Sequence, residues 1–338
     1  MEEVLEERLS YVGRLAPSPT GALHFGNVRT FMIAWLRARS LGGKVILRTE
    51  DLDHPKDKPG AAAQAVEDLR WLGFDWDEEY VQSERKALYR EALEILRNQT
   101  IEQPNNRTIP LVYPCVCSRK DVEAAQSAPH AGEQLYYPGT CRGRYASWQA
   151  AFAAKGAPPC WRFAVPTGTR IAFDDVFAGH YEQDVGATLG DFPIARDEFG
   201  AGYTLAVVVD DLLMGVTEVV RGDDLMAATP AQILIAQALL SSPAFTTPHP
   251  APSTQHQAPT PPAYCHVPLV VGPDGRRLAK RHGDTRVATF RATGGRPEEL
   301  LGRLAASCGW CRPDELVTLR DLLPRFNLGT IPHAPFMI

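Results

Sequence analysis

The residues with the clearest chemical potential lie between Arg14 and Asn27, a stretch that we call the first motif. Residues 9–15 suit a short buried strand, and the prolines that follow force an extended exit from it. Apolar residues at helical spacing then predict a helix over residues 27–40. Strand, turn and helix place backbone N–H groups and the positive end of a helix dipole beside His24, which suits a phosphate or a carboxylate. As a single residue, His24 is more often an ordinary loop histidine.

Acidic residues follow the second predicted strand, whose apolar core is Val45–Leu47. Glu50, Asp51 and Asp53 would lie beyond its carboxyl end, where ligands bind in parallel α/β sheets. The alternative is a solvated loop that caps the next helix.

Three cysteines, Cys115, Cys117 and Cys141, offer thiolate ligands for a tetrahedral zinc ion. Spacing alone favours His130 as the fourth ligand, because imidazole binds zinc far more often than phenolate does. A closed, sulfur-rich site would be structural rather than catalytic. Buried thiols without a metal are the alternative.

A basic stretch from Gly275 to Gly283, here called the second motif, contains Lys280. A lysine in a flexible loop can stabilise the negative charge that develops on phosphates during nucleotidyl transfer. A solvated basic surface is the alternative. Cys308 and Cys311 have the spacing of a redox or metal pair but are interpreted as structural.

The order of predicted elements indicates an α/β fold, because strand, helix and strand form a βαβ unit near the start of the chain. Val207–Val209 and Val216–Val220 have the β-branched content of central strands. Residues 229–240 are predicted to be a helix that begins with a cap and a proline. Residues 98–110 and 241–262, which are polar and contain prolines, are predicted to be surface insertions.

The chain of 338 residues is 44% hydrophobic and 22% charged, as is typical of a globular protein. It has no membrane-length apolar run and no secretory signal, so a cytoplasmic protein is expected. A net charge of −5 means that a nucleic-acid partner would need a local basic face. The candidates for that face are Arg142, Arg144, Arg276, Arg277, Lys280, Arg281 and Arg286.

The first motif as a whole, Arg-x-Ala-Pro-Ser-Pro-Thr-Gly-x-Leu-His-x-Gly-Asn, resembles the first signature of the class I glutamyl-tRNA synthetases. The resemblance implies a Rossmann-type catalytic domain that binds ATP, with Mg²⁺, and L-glutamate. It implies that ATP is bound by His24, Gly26, Asn27 and Lys280. It implies that glutamate is bound by Arg14, Ala16, Ser18, Glu50, Tyr203 and Arg221. On their own, Tyr203 would be a strand-end aromatic and Arg221 a charge at a helix start.

The second motif is similar to the mobile Lys-Met-Ser-Lys-Ser loop of the same family, and the matching stretch is Arg277–Arg281. Arginine replaces the first lysine, and Ala279 replaces the serine. Lys280 is therefore the residue to which the resemblance assigns catalysis, together with His24. The missing hydroxyl leaves the closure of the loop in question.

The cysteines resemble those of the shortened paralogues of this family, the glutamyl-queuosine tRNA(Asp) synthetases. In them Cys-x-Cys is followed by Tyr-x-x-x-Cys, and the tyrosine is a ligand. The resemblance thus implies one structural zinc ion on Cys115, Cys117, Tyr137 and Cys141, and leaves His130 as the alternative fourth ligand.

The resemblance covers about residues 8–325 and includes no helical anticodon-reading domain, which favours the shortened paralogue. The expected reaction is tRNA-independent activation of glutamate by ATP, followed by transfer to queuosine at the wobble position of tRNA(Asp). A monomer is expected. The alternatives are a truncated enzyme that charges a tRNA 3′ end, a glutamyl transferase with a non-tRNA acceptor, and an inactive zinc-stabilised RNA-binding module.

The sequence also predicts how the chain divides. The expected parts are the first half of the catalytic domain at 8–110, an inserted acceptor-binding-like subdomain with the zinc site at 111–200, the second half at 201–285, and a helical C-terminal segment at 286–338.

Overall fold

The computed structural model of the chain describes residues 11–19, 22–52, 60–102, 106–124, 136–198, 200–246, 259–276, 278 and 284–338. Two residues with predicted roles, Lys280 and His130, lie outside the described residues. Asp53, Arg277 and Arg281 lie outside them as well.

The described strands are, in chain order, β1 Val12–Leu15, β2 Lys44–Thr49, β3 Glu78–Val81, β4 Thr100–Glu102, β5 Thr108–Pro110, β6 Val112–Cys115, β7 Cys160–Phe163, β8 Arg170–Asp175, β9 Gly179–Asp184, β10 Phe192–Ala195, β11 Glu218–Gly222, β12 Ala263–Val267, β13 Val270–Val271 and β14 Phe336–Met337. The described α-helices are α1 Phe25–Ser40, α2 Ala61–Trp71, α3 Lys86–Arg97, α4 Arg119–Ala124, α5 Trp148–Lys155, α6 Val185–Thr188, α7 Tyr203–Leu213, α8 Thr229–Leu240, α9 Pro243–Thr246, α10 Val287–Ala292, α11 Pro297–Ala306 and α12 Leu319–Leu322.

A parallel sheet carries the first motif. β1, β2 and β3 pair in parallel in that order, and β11 pairs in parallel with β12. β11 lies on the other side of β1, where the amide of Thr217 donates to the carbonyl of Val12 at 2.9 Å. Among the described residues, β1, β2 and β3 form one ladder and β11 and β12 another, and the two ladders lie side by side in the order β3-β2-β1-β11-β12. This arrangement confirms the predicted α/β class. The chain first adds β2 and β3 on one side of β1 and later adds β11 and β12 on its other side. Parallel α/β sheets bind ligands at such a switch point.

Helix α1 anchors the main hydrophobic core. Val28, Met32 and Leu36 lie one turn apart and are fully buried against the sheet. Burial of each side chain stabilises the fold by roughly 1.5–3 kcal/mol. Helix α11, near the end of the chain, packs on the same core through Leu300 and Leu304, so the C-terminal segment contributes to this core.

A second layer of structure is inserted between β3 and α7. β6, β7 and β10 form an antiparallel sheet, and β8 and β9 form a hairpin. The hairpin reaches back to the parallel sheet, since the amide of Val176 donates to the carbonyl of Tyr264 at 2.8 Å.

Two predictions of local structure are wrong. Val207–Val209 belong to helix α7 rather than to a strand. Every residue from Leu205 to Leu212 is buried, so the helix shows none of the periodicity that would have identified it. Residues 98–110, predicted to be a surface loop, include the strands β4 and β5, which pair in antiparallel fashion.

In the part of the chain that the structure describes, no helix has the length and apolar character needed to cross a membrane.

Candidate functional site

The residues predicted to bind an amino acid meet at the carboxyl ends of the parallel strands. Arg14 lies on β1, Glu50 directly follows β2, and Arg221 lies near the end of β11. A pocket at this edge is lined by Ser18, Glu50 and Tyr203, among other residues. The sheet thus brings together side chains that are far apart in the sequence.

Arg221 is a buried cation with neutral partners. Its side chain is only 6% exposed. Its Nε donates to His266 Nε2 at 2.9 Å, and its Nη2 donates to Thr229 Oγ1 at 2.7 Å. Among the described residues, no carboxylate lies within ion-pairing distance of it, and burial lowers its pKa. A guanidinium in this state favours an incoming carboxylate, because a buried charge is costly until it is paired.

Glu50 lies in a network of charged groups beneath the pocket. Its carboxylate accepts from Arg48 Nη2 at 3.0 Å, and Arg48 Nη1 donates to Asp211 Oδ1 at 2.6 Å. Burial raises the pKa of Glu50, against the opposing effect of Arg48 and Arg14. Arg14 Nη1 donates to the carbonyl of Val220 at 2.8 Å, which spans the gap between β1 and β11.

The remaining residues of the predicted amino-acid site line or flank the pocket. Tyr203 is the first residue of α7 and is 39% exposed. Desolvation and the nearby Glu50 raise its pKa to about 12, so its hydroxyl is a neutral donor. Ser18 Oγ donates to Glu50 Oε2 at 3.5 Å, and Ala16 follows β1 directly.

The predicted nucleotide-binding residues lie at the N-terminus of α1. His24 is the N-cap, and its amide donates to Asn27 Oδ1 at 3.2 Å. A Cβ atom at position 26 would lie only 3.1 Å from the His24 ring. Glycine at this position therefore leaves room for the ring. The N-terminus of this helix of 16 residues also carries the positive end of the helix dipole, which favours an anion.

The segment that directly follows the second motif contacts the first motif. His24 pairs with Arg286 in an antiparallel bridge, Phe25 N donates to the carbonyl of Thr285 at 3.1 Å, and Val287 N donates to the carbonyl of Leu23 at 2.9 Å. The segment that follows the second motif therefore lies against the first. Lys280, predicted to be catalytic, is not among the described residues.

The predicted metal ligands form a compact cluster. The Sγ atoms of Cys115, Cys117 and Cys141 lie within 4.8 Å of one another, and those of Cys117 and Cys141 are 3.6 Å apart. The Tyr137 hydroxyl lies 3.2 Å from Cys115 Sγ and 3.5 Å from Cys117 Sγ. Ligands about 2.3 Å from a tetrahedral zinc ion would be about 3.8 Å apart. The three thiols could hold a metal, and the Tyr137 hydroxyl lies beside two of them.

A buried arginine backs this cluster. Arg162 Nε donates to Cys115 Sγ at 3.2 Å, and its guanidinium carbon lies 3.8 Å from the centre of the Tyr137 ring. Arg162 also donates to the carbonyl of Asp191 at 2.9 Å, which fixes its position. A cation here offsets negative charge on thiolate and phenolate ligands.

Two members of the predicted basic face are bound elsewhere. Arg142 donates to both carboxylate oxygens of Asp191, one of them at 2.9 Å, and Arg286 pairs with Asp284. Their guanidinium groups are thus engaged within the protein, which weakens their assignment to a nucleic-acid surface.

The sequence analysis missed several residues that support the site. These are Arg48, Asp175, Asp210, Asp211, Thr229 and His266. Each of them has a buried polar group whose hydrogen-bond partners lie on distant elements, so the sequence does not show these contacts. The acidic pair Asp210 and Asp211, at the end of the apolar run 205–209, is the local feature that could have pointed to two of them.

Fold and site together define a class I tRNA synthetase catalytic domain. The family model "tRNA synthetases class I (E and Q), catalytic domain" matches residues 11–249. A solved glutamate tRNA ligase from Elizabethkingia meningosepticum, determined with its amino acid, has the same fold, with a TM-score of 0.73 at 23% identity. The alignment covers 98% of this chain and 67% of that one.

Two curated relatives are similar over nearly their whole length. The Glutamyl-Q tRNA(Asp) synthetase of Symbiobacterium thermophilum is 46% identical, over 96% of this chain and 95% of the relative. The protein of the same name from Rhodopirellula baltica is 45% identical, over 97% of each. The chain belongs to the family of glutamyl-Q tRNA(Asp) synthetases.

Proposed function

We propose that the protein activates glutamate with ATP, without tRNA, and transfers the glutamyl group to queuosine at the wobble position of tRNA(Asp). The observation that carries the first half is Arg221, a buried guanidinium that has only neutral partners among the described residues and acts electrostatically on Tyr203, which lines the pocket. The second half rests on the names of the relatives that match over nearly the full length.

Each polar group of glutamate has a complementary partner in this proposal. Arg221 and Arg14 take the carboxylates, since a guanidinium binds a carboxylate through two parallel hydrogen bonds. Glu50 takes the ammonium group, whose positive charge favours the ionised form of this buried acid. Ser18 and Tyr203 form part of the wall of the pocket, and Ala16, which directly follows β1, is assigned to the site by the family resemblance.

ATP would bind at the N-terminus of α1, with its phosphates near His24, Gly26 and Asn27. One carboxylate oxygen of glutamate attacks the α-phosphorus, the bond to the bridging oxygen breaks, and pyrophosphate leaves. Lys280 would stabilise the charge that develops on the phosphates. Mg²⁺ bound with ATP would offset part of the same charge.

The second step needs no covalent enzyme intermediate. A hydroxyl of the cyclopentene ring of queuosine attacks the carbonyl carbon of glutamyl-adenylate, its proton is lost, and AMP leaves. The protein's part is to hold the adenylate and the wobble nucleoside together.

We also infer a structural zinc ion on Cys115, Cys117, Tyr137 and Cys141. The support is the spacing of the four donor atoms and the cation of Arg162 behind them. Four protein ligands close the shell, so the ion would hold the inserted layer together and take no part in catalysis.

The experiment is glutamate-dependent ATP–pyrophosphate exchange without tRNA, followed by transfer of labelled glutamate to tRNA(Asp) with and without queuosine. The proposal expects exchange without tRNA and label only on queuosine-containing tRNA(Asp). Label at the 3′ end of a tRNA, located on the terminal nucleoside after nuclease digestion, would instead indicate an aminoacylating enzyme. Absence of exchange would contradict activation itself.

A further inference from the structure

A chain of buried polar side chains leads from the β8–β9 hairpin to Arg221. Asp175 is the last residue of β8, and its Oδ2 atom lies 2.6 Å from Nδ1 of His266. Arg221 Nε lies 2.9 Å from His266 Nε2. Arg221 and His266 are direct neighbours across the β11–β12 ladder, so the strand register itself sets this pairing.

The partners determine where the proton of His266 lies. A guanidinium can only donate, so His266 Nε2 must be the acceptor. The single proton of the neutral ring is then on Nδ1 and is donated to Asp175. Burial and the Arg221 cation lower the pKa of His266, although Asp175 opposes this effect, which agrees with a neutral ring.

Asp175 is itself held in one orientation. Its Oδ1 accepts backbone N–H groups from Phe177 at 3.1 Å, Ala178 at 2.8 Å and His266 at 3.0 Å. Its Oδ2 lies 2.6 Å from the imidazole nitrogen and also accepts the backbone N–H of His266 at a longer distance of 3.2 Å. Phe173 and Tyr264 flank the ring, with centroids 6.4 and 6.1 Å from that of His266, and limit access of water.

The effect on Arg221 is orientation without neutralisation. His266 Nε2 and Thr229 Oγ1 are uncharged acceptors, and together they fix the plane of the guanidinium. An acidic residue in place of His266 or Thr229 would also fix the guanidinium, but it would neutralise the positive charge of Arg221. The charge thus remains for a ligand that enters the pocket.

We propose that Asp175 and His266 are positioning residues for substrate binding. Asp175 holds His266 in its neutral, Nδ1-protonated form, and His266 then presents Arg221 as a fixed, uncompensated cation for a carboxylate of glutamate. The inference deepens the proposed function and rests on it for the identity of the ligand.

The decisive variant is Asp175→Asn. Three backbone donors require the amide oxygen to take the place of Oδ1, so the NH₂ group must face His266 Nδ1. The proton of the imidazole must then lie on Nε2. Two N–H groups, those of His266 Nε2 and Arg221 Nε, would face each other, and the hydrogen bond between these residues would be lost. We expect the KM for glutamate in the exchange assay to rise about 10- to 100-fold, with kcat and the KM for ATP changed far less.

The hairpin supplies a matched control. Asp174, the preceding residue, is exposed and lies 2.8 Å from Nδ1 of the exposed His180. Asp174→Asn removes the same kind of charge from the same strand, and we expect it to leave the KM for glutamate unchanged. An Asp175→Asn protein with the KM of the Asp174→Asn protein would overturn the proposal.

Nitrogen NMR of the ¹⁵N-histidine-labelled protein tests the tautomer independently of activity. We expect Nδ1 of His266 to be protonated in the unaltered protein and Nε2 to be protonated in Asp175→Asn. Protonation of Nε2 in the unaltered protein would contradict the proposal.

The variants of His266 provide a second test if Asp175→Asn does not fold. His266→Gln can offer an amide oxygen to Arg221, so its KM for glutamate should stay below that of His266→Leu. Lack of exchange by the unaltered protein would contradict the proposed function, whereas the NMR result decides the hydrogen-bond arrangement by itself.

Discussion

Arg221 contacts its supports with two different nitrogen atoms, and this determines how it should respond to replacement. Arg221→Lys keeps the positive charge but cannot reach both His266 and Thr229, so at least one buried acceptor loses its donor. We expect the KM for glutamate to rise about 100-fold while the KM for ATP is unchanged. Steady-state exchange kinetics measure both constants. Arg303→Lys, on the exposed side of α11, is the control, and equal KM values for the two variants would rule out this role.

His266 should also make stability depend on pH. Its pKa is lowered in the folded protein, whereas the unfolded chain has the ordinary value of about 6.5. The stability associated with its neutral form is therefore complete above that value and is lost as the pH falls towards the lowered folded pKa. Burial would raise the pKa of Asp175, but the hydrogen bonds from His266 and Ala178 lower it, so its contribution is lost only at more acidic pH.

We therefore expect urea unfolding midpoints to fall between pH 7 and 5, and to fall less steeply in His266→Gln. His180→Gln removes an exposed histidine and serves as the reference. A slope in His266→Gln as steep as in the reference would show that His266 does not contribute.

The roles of single residues were predictable to different degrees. The first motif places Arg14, Ser18 and His24 through a contiguous pattern that a sequence displays directly. The contact between Asp175 and His266 joins residues 91 positions apart and has no local pattern. It depends on how the inserted hairpin packs on the parallel sheet, and only the folded chain reveals it.

At the scale of elements, the metal cluster joins the end of β6 to the segment 137–141. Arg162, on β7, donates to Cys115 and stacks on Tyr137. Removal of an outer-shell partner commonly lowers metal affinity by about 10- to 100-fold. We expect this loss in Arg162→Met, measured as zinc affinity in competition with a chromophoric chelator.

Arg144→Met provides the control for that variant, because Arg144 is exposed and its guanidinium stacks on Tyr145 instead. Equal zinc affinities for the two variants would show that Arg162 has no part in metal binding. Failure of the unaltered protein to bind one zinc ion would contradict the metal site itself.

The errors at this scale have a physical cause. α7 is buried on every side because it packs against α3, α8 and β10, and Val207–Val209 favour strands by propensity alone. Tertiary burial outweighs that propensity. β11, by contrast, was predicted through Val216–Val220, because its β-branched run is short and is bounded by glycine on both sides.

At the scale of the whole molecule, the C-terminal residues are tied to the second motif. β14 pairs in parallel with β13, and Phe336 N donates to the carbonyl of Leu269 at 2.9 Å. Val271, in β13, is buried and precedes the second motif by only a few residues. Arg29 of α1 holds the same region from the opposite side by donating to the carbonyl of Pro268 at 2.7 Å.

Deletion of residues 334–338 should therefore act on catalysis at a distance. The base of the second motif loses the strand that covers Val270 and Val271, so backbone amides at 269–276 should exchange with deuterium faster. Misplacement of catalytic groups lowers turnover steeply, and we expect kcat for exchange to fall about 10-fold. The amino-acid pocket is built from other elements, so the KM for glutamate should stay within about 2-fold.

Met337→Ser, at an exposed position of the same strand, is the control and should change neither the amide exchange nor kcat. A deletion that raised the KM for glutamate and spared kcat would mean that the C-terminal strand supports the pocket rather than the loop.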